Sequence, residues 1–281
     1  MTNLRYITTT LLVISLIVGS FSIKAQTKPT ILKNIRVLVY TKNGKGYVHD
    51  NIPSAIACIQ KMGREHGFKV DTSSDAVVFT AQNLKRYTML IFTSTNNDVF
   101  DTDEQRVVFR DYMEAGGGFV GIHSVTGTER NWTWFKQMIG CTFLVHPPFQ
   151  KFDAKVIAPG SELVKGIPKV WAHEDELYFN KEWYPGITVV MADDLNTLDA
   201  KAADIKDKGQ GSFSNLYPAV WYQHFDGGNI WITALGHAKE TYSDPVFTTL
   251  VLNGIKFVAG KSKKLDYSKA YAHTRDAPVQ Y

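Results

Sequence analysis

The sequence predicts an α/β fold built on a doubly wound, mostly parallel sheet. Apolar runs of strand length alternate with amphipathic helical segments over about 90 residues, which is typical of consecutive βαβ units. Three glycines at 116–118 end one such helix, and the short apolar run that follows fits a buried strand. That strand ends at His123 and Ser124. Ligand crevices in open α/β sheets lie outside the carboxyl ends of the strands, so we expect functional residues at this edge.

The N-terminal segment predicts export. Arg5 precedes an apolar run at residues 11–18, and small residues surround Ser22 and Ala25, as in a secretory signal peptide that is cleaved after Ala25. The run is shorter than the roughly 20 residues of a membrane span, and an uncleaved anchor is the alternative. We therefore expect a periplasmic or secreted bacterial protein that has no membrane attachment after cleavage. The expected boundaries are a signal peptide at 1–25, a short lead at 26–33, one α/β domain at 34–260 and a polar tail at 261–281.

The charge of the mature chain argues against polyanionic partners. Cleavage removes two of the 31 basic residues and none of the 27 acidic residues, which leaves a formal charge of +2. Basic residues are concentrated only at 261–264, so binding to nucleic acid or to an anionic membrane has little electrostatic support. The tail either wraps the surface or is mobile.

The chain has two cysteines, Cys58 and Cys141. A disulfide is the alternative in an exported protein, but two buried free thiols fit their apolar surroundings better. No neighbouring residue marks either cysteine as a nucleophile.

The first half of the domain contains four predicted strands and two long helices. The strands are residues 35–40, 68–71, 88–93 and 119–123. The first helix has Pro53 near its start and an apolar face at i, i+3, i+4 spacing, and acids with capping side chains begin the second at 101–105. His49 lies in the loop between the first strand and the first helix. It is either a residue of the functional edge or a solvated loop histidine.

The middle of the chain carries aromatic and acidic candidates. Trp132 and Trp134 are either a sugar-stacking platform or part of the core. His146 precedes two prolines, which hold it in an extended turn. In a strand through residues 174–178, Glu174, Glu176 and Tyr178 would share one face, and Asp175 would take the other. A solvated edge is the alternative for this acidic run.

The last part of the domain predicts a hairpin and a closing helix. Strands at 218–222 and 229–237 flank a turn that includes Asp226 and Gly227. The second strand ends on Gly236-His237, which repeats the strand-end histidine found at 123. An amphipathic helix is predicted at 244–258.

Four histidines thus fall at strand ends or in loops, with Asp175 and Glu176 as candidate partners. Imidazoles with a carboxylate can bind a divalent metal ion, and they serve equally as general acids and bases. No HExxH or CxxC spacing marks a metal site. No Gly-rich phosphate loop follows the first strand, so no nucleotide cofactor is expected. A hydrolase based on Ser124 is an alternative, but its surroundings are not a G-x-S-x-G elbow.

Taken together, these motifs resemble the ThuA-like (trehalose utilisation) family over most of residues 34–260. The matching elements are Val48-His49-Asp50, residues 116–124, Trp132-x-Trp134, Phe143-x-x-His146-Pro147 with Gln150, Asp175-Glu176-x-Tyr178, Pro218-x-x-Trp221, and Thr233-Ala234-Leu235-Gly236-His237 with Tyr242-Ser243-Asp244-Pro245. The resemblance implies a flavodoxin-like, class I glutamine amidotransferase-like three-layer sandwich.

The resemblance also implies a function, and this sequence differs at two places from the patterns it resembles. It implies a role in disaccharide or glycoside catabolism, alongside dehydrogenases that make 3-keto sugars. His123 stands where the Gly-x-Cys element of amidotransferases has its nucleophile, so thiol amidotransfer is excluded. Tyr47-Val48 replaces a phenylalanine–arginine pair that is frequent in the family.

We therefore hypothesise an exported enzyme that acts on a glycoside or on its 3-keto derivative by acid–base chemistry, which a divalent metal ion would assist in one version. The catalytic candidates are His123, Glu176 and His237. The substrate-binding candidates are His49, Trp132, Trp134, His146, Gln150, Asp175 and Tyr178. The metal-ligand candidates are His49, His146 and His237. The expected partner is a small carbohydrate, and a homo-oligomer is compatible with the sequence. The alternatives are a carbohydrate-binding protein without activity and an accessory subunit of a sugar-processing complex.

Overall fold

The computed structural model describes residues 32–199, 213–262 and 264–280 of the 281-residue chain. The predicted signal peptide at 1–25 lies outside the described residues, as does most of the predicted lead at 26–33. No helix in the described segments is both long enough and apolar enough to span a membrane.

A mixed sheet of nine strands forms the centre of the described chain. The strands of the protein are β1 (Arg36–Tyr40), β2 (Lys69–Ser73), β3 (Met89–Thr93), β4 (Gly118–Ile122), β5 (Thr142–Val145), β6 (Gln150–Val156), β7 (Val170–Asp175), β8 (Phe179–Lys181), β9 (Thr188–Asp194), β10 (Leu216–Phe225) and β11 (Gly228–Thr233). The order in the large sheet is β2-β1-β3-β4-β11-β10-β9-β6-β7. Neighbours are parallel from β2 to β11 and antiparallel from β11 to β7. Strands β5 and β8 form a separate antiparallel pair.

Helices cover both faces of the sheet. They are α1 (Ile52–His66), α2 (Ala81–Leu84), α3 (Asp103–Glu114), α4 (Thr133–Ile139) and α5 (Pro245–Lys261). Buried side chains of α1 and α5 pack with Val37 and Ile91 on one face, whereas α3 and α4 pack with Leu38 and Leu90 on the other. Because neighbouring residues of a strand point to opposite faces, fully buried strands serve two cores at once. The predicted α/β sandwich is confirmed.

Local sequence signals account for the helix boundaries. The Thr102 side chain accepts a hydrogen bond from the Gln105 backbone N–H, and the Gln105 side-chain oxygen accepts one from the Thr102 backbone N–H, which is a capping box at the start of α3. Asp244 caps α5 by accepting from the Val246 and Phe247 backbone N–H groups. At the C-terminal end of α1, Gly67 takes a left-handed conformation with φ 82°. The predicted cap is therefore confirmed at α3, and the predicted start of the last helix near Asp244 is confirmed at α5.

The predicted hairpin between β10 and β11 turns at Asp226 and Gly227. Their φ angles are 46° and 84°, which is the left-handed pair that a two-residue hairpin turn requires. A Cβ atom at Gly227 would lie 2.5 Å from the Glu114 carbonyl oxygen. Glycine is thus required at this turn by conformation and by space.

The C-terminal tail is fixed to α3 through a buried ion cluster. We call Arg110, Glu114, Asp226 and Tyr271 the arginine cluster. The Glu114 carboxylate accepts from the Tyr271 and Ala272 backbone N–H groups, and Arg110 donates to carbonyl oxygens at Arg275 and Ala277. Of the two alternatives predicted for the tail, the described part follows the first, because it lies against the folded domain.

Both cysteines are free thiols, as predicted. Burial raises the pKa of the Cys58 thiol to about 11 and that of Cys141 well above its usual range. Neither thiol is activated as a nucleophile.

Candidate functional site

A cavity of about 460 Å³ opens at the carboxyl ends of the parallel strands. It is lined by Tyr47, His49, Asn96, Asn97, Ser124, Gly127, Arg130, Phe143, His146, Glu176, Tyr178 and His237. This volume lies within the range of small-molecule sites, about 300–1,000 Å³.

Two groups of elements build the cavity. One side is formed by residues that follow parallel strands: His49 after β1, Asn96 after β3, Ser124 after β4 and His237 after β11. The other side comes from the β5–β8 region, which supplies Phe143, His146 and Tyr178, and from the end of β7, which supplies Glu176. The parallel strands thus provide a rigid base, and the inserted segments close the space above it.

His123 occupies a strained turn directly after β4. Its φ is +58°, a conformation that costs a non-glycine residue about 1–3 kcal/mol. Gly121 precedes this turn, and a Cβ atom there would lie 2.6 Å from Ile232 Cδ1. The His123 side chain has no solvent exposure and lies beneath the floor of the cavity rather than on its wall. The predicted catalytic role of His123 therefore does not include direct substrate contact in this structure.

Three imidazoles and one carboxylate converge at the cavity floor, and we call them the histidine cluster (His49, His123, Glu176 and His237). His123 Nε2 lies 3.0 Å from His49 Nε2 and 3.3 Å from His237 Nδ1. Glu176 Oε2 lies 3.0 Å from His237 Nδ1 and 3.9 Å from His123 Nε2. The Tyr178 hydroxyl is 3.0 Å from His123 Nε2 and 3.4 Å from His49 Nε2. Each member of the cluster offers one ligand atom, and these atoms all lie within 4.8 Å of one another, so the cluster can hold a metal ion.

The buried histidines of this cluster, His49 and His123, and the adjacent Tyr178 are held in their neutral forms. Burial, followed by repulsion from His237, lowers the pKa of His49 to about 4. Burial and the neighbouring imidazoles of His49 and His237 lower the pKa of His123 well below its usual range. Burial and the nearby carboxylates raise the pKa of the Tyr178 hydroxyl well above its usual range. At neutral pH these groups present lone pairs and a hydroxyl rather than charges.

His237 and Glu176, which face the cavity, differ from these groups in their ionisation. Burial is the largest single influence and opposes ionisation of both groups, but the hydrogen bond between His237 and Glu176 and the surrounding charges together outweigh it. Together with the surrounding charges, this bond raises the pKa of His237 and lowers the pKa of Glu176. The carboxylate is therefore ionised at neutral pH and faces the cavity, where a substrate proton or a cation can approach it.

Asp175 and Asn51 fix the loop that carries His237. The Asp175 carboxylate accepts from the backbone N–H groups of Gly236 at 2.7 Å, His237 at 2.9 Å and Glu176 at 2.8 Å. The Asn51 amide donates to the carbonyl oxygens of Gly236 and His237, at 2.8 Å each. Burial raises the pKa of Asp175 to about 6, although these N–H donors oppose the shift. Asp175 was predicted to bind substrate, but it is fully buried and orients two cluster residues instead.

Three further residues that were predicted to bind substrate, Trp132, Trp134 and Gln150, lie away from the cavity. Trp132 and Trp134 stack on each other in the core at a centroid distance of 5.1 Å, and their exposures are 0% and 3%. Of their two predicted roles the core role holds, because the amphipathic ring suits an interior in which its N–H finds an acceptor. Those acceptors are the Arg275 carbonyl for Trp132 and the Asp226 carboxylate for Trp134. Gln150 bonds to Pro148 O and to the Asp199 N–H, and it does not line the cavity.

The acidic run also differs from the prediction. Strand β7 ends at Asp175, so the alternating pattern does not continue through Tyr178. Glu174 is exposed on an edge strand, where the solvated-edge alternative applies. Glu176 and Tyr178 face the cavity because the chain leaves the sheet and turns after Asp175.

His146 lines the cavity but lies outside the histidine cluster. Its Nδ1 is 2.8 Å from Pro147 O and 3.5 Å from Glu176 Oε1, and its side chain is 37% exposed. Of the three predicted metal ligands, His49 and His237 belong to the cluster and His146 does not. His123 and Glu176 complete the cluster.

Sequence reasoning missed several wall residues. Asn96 and Asn97 follow β3, so the strand-end rule that selected His123 would have found them. Arg130 donates to Gly127 O and Asn96 Oδ1, and its guanidinium lies 5.2 Å from the Phe143 ring centroid. No local pattern marks Arg130 or Phe143, because tertiary packing brings them to the cavity.

Comparisons with known proteins agree with this architecture. The family model described as "ThuA: Trehalose utilisation" matches residues 36–258. A solved ThuA-like protein from Bacteroides uniformis superposes with a TM-score of 0.66 at 21% identity, over 84% of this chain and 95% of that one. One from Parabacteroides merdae gives 0.65 at 19% identity, over 82% and 92%. At these identities the structures show the fold alone. No curated protein matches the chain.

Proposed function

Because the chain belongs to the ThuA family, we propose that it is an enzyme that moves a proton on a glycoside or on the 3-keto derivative of one. The family indicates a carbohydrate-related role. The observation that carries the enzymatic proposal is the convergence of imidazoles, a carboxylate and a phenol at the floor of one cavity. Perturbed ionisable groups gathered in a cleft are typical of catalytic sites.

The wall of the cavity supports a sugar as the ligand. Tyr47 and Phe143 offer ring surfaces, while Asn96, Asn97 and Arg130 offer amide and guanidinium groups. Sugars present apolar C–H faces together with many hydroxyl groups, so a site that mixes rings and amides suits them. Arg130 uses its Nε and one Nη2 hydrogen within the protein. Its remaining N–H groups have no hydrogen-bond partner in the described part of the chain and are available to a hydroxyl or carbonyl oxygen.

The floor of the cavity supports proton transfer. His146 and Glu176 both line the cavity and form a pair, with Nδ1 and Oε1 3.5 Å apart. His146 Nε2 is not engaged by any hydrogen bond among the described residues, so it is available to exchange a proton with a substrate. In this proposal His146, supported by Glu176, removes a proton from a hydroxyl group or from a carbon next to a carbonyl. The rest of the histidine cluster polarises the adjacent oxygen.

Deuterium exchange tests this proposal directly. The purified protein is incubated in D2O with 3-keto-trehalose or a 3-keto-glucoside, and NMR follows deuterium entering the carbon next to the carbonyl. We expect exchange above the uncatalysed rate, and a decrease of about 10²–10⁴-fold for His146→Gln, because glutamine fills a similar space but cannot carry the proton.

Glu174→Gln is the matched control for Glu176→Gln. Glu174 lies two residues away but is exposed and does not line the cavity. We expect exchange to fall only in the Glu176 variant. Sugar binding without exchange or turnover, in the unmodified protein, would contradict the enzymatic proposal and favour a binding protein. Activity that appears only when a second protein is added would favour an accessory subunit.

A further inference from the structure

We propose that His49, His123, Glu176 and His237 bind one divalent transition-metal ion of the Zn²⁺ type at the floor of the cavity. The role of this ion in catalysis rests on the proposed function, but its binding does not. The inference rests on the hydrogen positions that the surroundings impose on the imidazoles and on the spacing of the four ligand atoms.

The hydrogen bonds of the outer ring nitrogens fix two tautomers. His123 Nδ1 lies 3.2 Å from the Ala234 carbonyl oxygen, and a carbonyl oxygen only accepts, so this nitrogen carries the hydrogen. The Ser124 hydroxyl donates to the Thr95 carbonyl oxygen at 3.0 Å. It therefore accepts from His49 Nδ1, which lies 3.4 Å away. In the neutral rings both Nε2 atoms are left with a lone pair.

These two lone pairs face each other. The two Nε2 atoms are 3.0 Å apart, and neither one has a hydrogen to donate. The Tyr178 hydroxyl has a single hydrogen, which serves either His123 or His49 but not both. The hydrogen on His237 Nδ1 is directed to Glu176 Oε2 at 3.0 Å, which is nearer than His123 Nε2 at 3.3 Å. One buried imidazole nitrogen is therefore left facing another lone pair, which is unfavourable without a shared cation. A metal ion between the two nitrogens removes this conflict.

The spacing of the ligand atoms fits a first-row metal ion. Zn–N and Zn–O bonds of about 2.0–2.2 Å in tetrahedral geometry place ligand atoms about 3.3–3.6 Å apart. Four of the six separations are 3.0, 3.3, 3.0 and 3.9 Å, and all six lie within 4.8 Å. The four scatter around that value, and side-chain shifts are needed only to close the wider pairs.

The supporting contacts are those of a metal centre. The imidazole hydrogens of His123 and His49 are held by a backbone carbonyl and a hydroxyl, and such outer bonds orient metal-binding histidines. Asp175 holds the backbone at both His237 and Glu176. Three imidazoles and one carboxylate favour Zn²⁺, Mn²⁺, Fe²⁺ or Co²⁺ over Mg²⁺ and Ca²⁺, which prefer oxygen ligands. Three of the four ligands line the cavity, so a substrate oxygen can approach the ion from that side.

Metal binding is measured on the full folded protein after chelation and dialysis. ZnCl₂ is titrated by calorimetry, bound metal is counted by mass spectrometry, and CoCl₂ gives a visible spectrum that reports the coordination geometry. We expect one ion per chain, a higher melting temperature with Zn²⁺, and an intense Co²⁺ spectrum of low coordination number.

Two variants separate the site from adventitious binding. His123→Gln removes a ligand that does not line the cavity, and we expect at least a 100-fold lower Zn²⁺ affinity with an unchanged circular dichroism spectrum. His224→Gln removes an exposed histidine of β10 and should leave the affinity unchanged. Equal Zn²⁺ affinity in the His123 variant and the unmodified protein would overturn the proposal, as would the absence of binding near one equivalent.

The outcomes for the ion and for the enzyme are distinguishable. One bound ion without proton exchange on any sugar would overturn the proposed function and leave the metal site in place. Full exchange activity in metal-free protein, with chelator present throughout, would overturn the ion's role in catalysis and leave the proposed function in place, whereas failure of the Zn²⁺ titration would overturn the metal site itself.

Discussion

The arginine cluster and the histidine cluster are both largely buried, but they differ in how completely their polar atoms are hydrogen-bonded. All five N–H groups of Arg110 donate: Nε to Glu114, Nη1 to two tail carbonyls, and Nη2 to Asp226 and Tyr271. In the histidine cluster, imidazole nitrogens face one another with too few hydrogens between them. Complete satisfaction is what a stabilising network requires. Incomplete satisfaction in a cleft indicates a site kept for a ligand.

The largest expected effect is on the arginine cluster. Arg110→Met would leave the carboxylates of Glu114 and Asp226 buried without their cation. We expect the free energy of unfolding to fall by about 3–5 kcal/mol, measured by urea denaturation.

The control for this variant is Lys61→Met. Lys61 is 69% exposed and lies 3.9 Å from Glu65, so its loss should change the free energy of unfolding by less than about 0.5 kcal/mol. Similar losses in the two variants would remove the distinction between a buried network and a surface ion pair.

A smaller effect is expected at Asp175, the buried carboxylate that holds the backbone of the histidine cluster. In Asp175→Asn, one oxygen is left to serve three backbone N–H groups, and the new amide N–H₂ faces donors. We expect a loss of about 1–3 kcal/mol in the free energy of unfolding. Turnover should fall about 10–100-fold, because His237 and Glu176 lose their orientation.

Asp193→Asn is the matched control, since Asp193 is also a buried aspartate. Burial and the nearby Asp175 raise the pKa of Asp193 well above its usual range, and its Oδ1 has no hydrogen-bond partner among the described residues. An amide can replace a protonated carboxyl group with little change. If both variants lost the same stability and activity, the assignment of Asp175 as a positioning residue would be wrong.

The next smaller effect on the free energy of unfolding is expected for Tyr271 in the C-terminal tail. The Tyr271 hydroxyl donates to Asp226 Oδ1 at 2.8 Å and accepts from Arg110 Nη2 at 3.2 Å. Tyr271→Phe should lower the free energy of unfolding by about 1–1.5 kcal/mol. Tyr184→Phe, whose hydroxyl has no partner in the described segments, should change it by less than about 0.5 kcal/mol. A Tyr271 variant as stable as the Tyr184 variant would show that the tail adds no stability through this cluster.

The parts of the fold and site that the sequence predicted are those with local signals. Alternating strands and helices, caps such as Thr102, and the Asp226-Gly227 turn all depend on neighbours in the chain. The strand-end rule selected His123 and His237 for the same reason, because the position of a strand end is visible in the apolar pattern.

The parts that the sequence did not predict depend on contacts between distant residues. Trp134 packs in the core because the buried Asp226 accepts its N–H, across 92 residues of chain. Asp175 orients His237 across 62 residues, so its acidity alone suggested a binding role. The exclusion of His123 from the cavity wall depends on the rings of His49, Tyr178 and His237, which pack against it.

The smallest expected effect on stability comes from the histidine cluster itself, and it separates the two clusters most sharply. His49→Gln removes one of the two opposed Nε2 atoms and supplies an amide that can donate to His123 Nε2. Because the conflict is relieved, we expect the free energy of unfolding of metal-free protein to change by less than about 1 kcal/mol, in contrast to Arg110→Met. Proton exchange on a keto-glycoside should nevertheless fall at least about 100-fold. Urea denaturation and deuterium exchange on the same samples make the comparison. A loss of several kcal/mol without loss of exchange would mean that the histidine cluster stabilises the fold as the arginine cluster does, and that the reactive centre lies elsewhere.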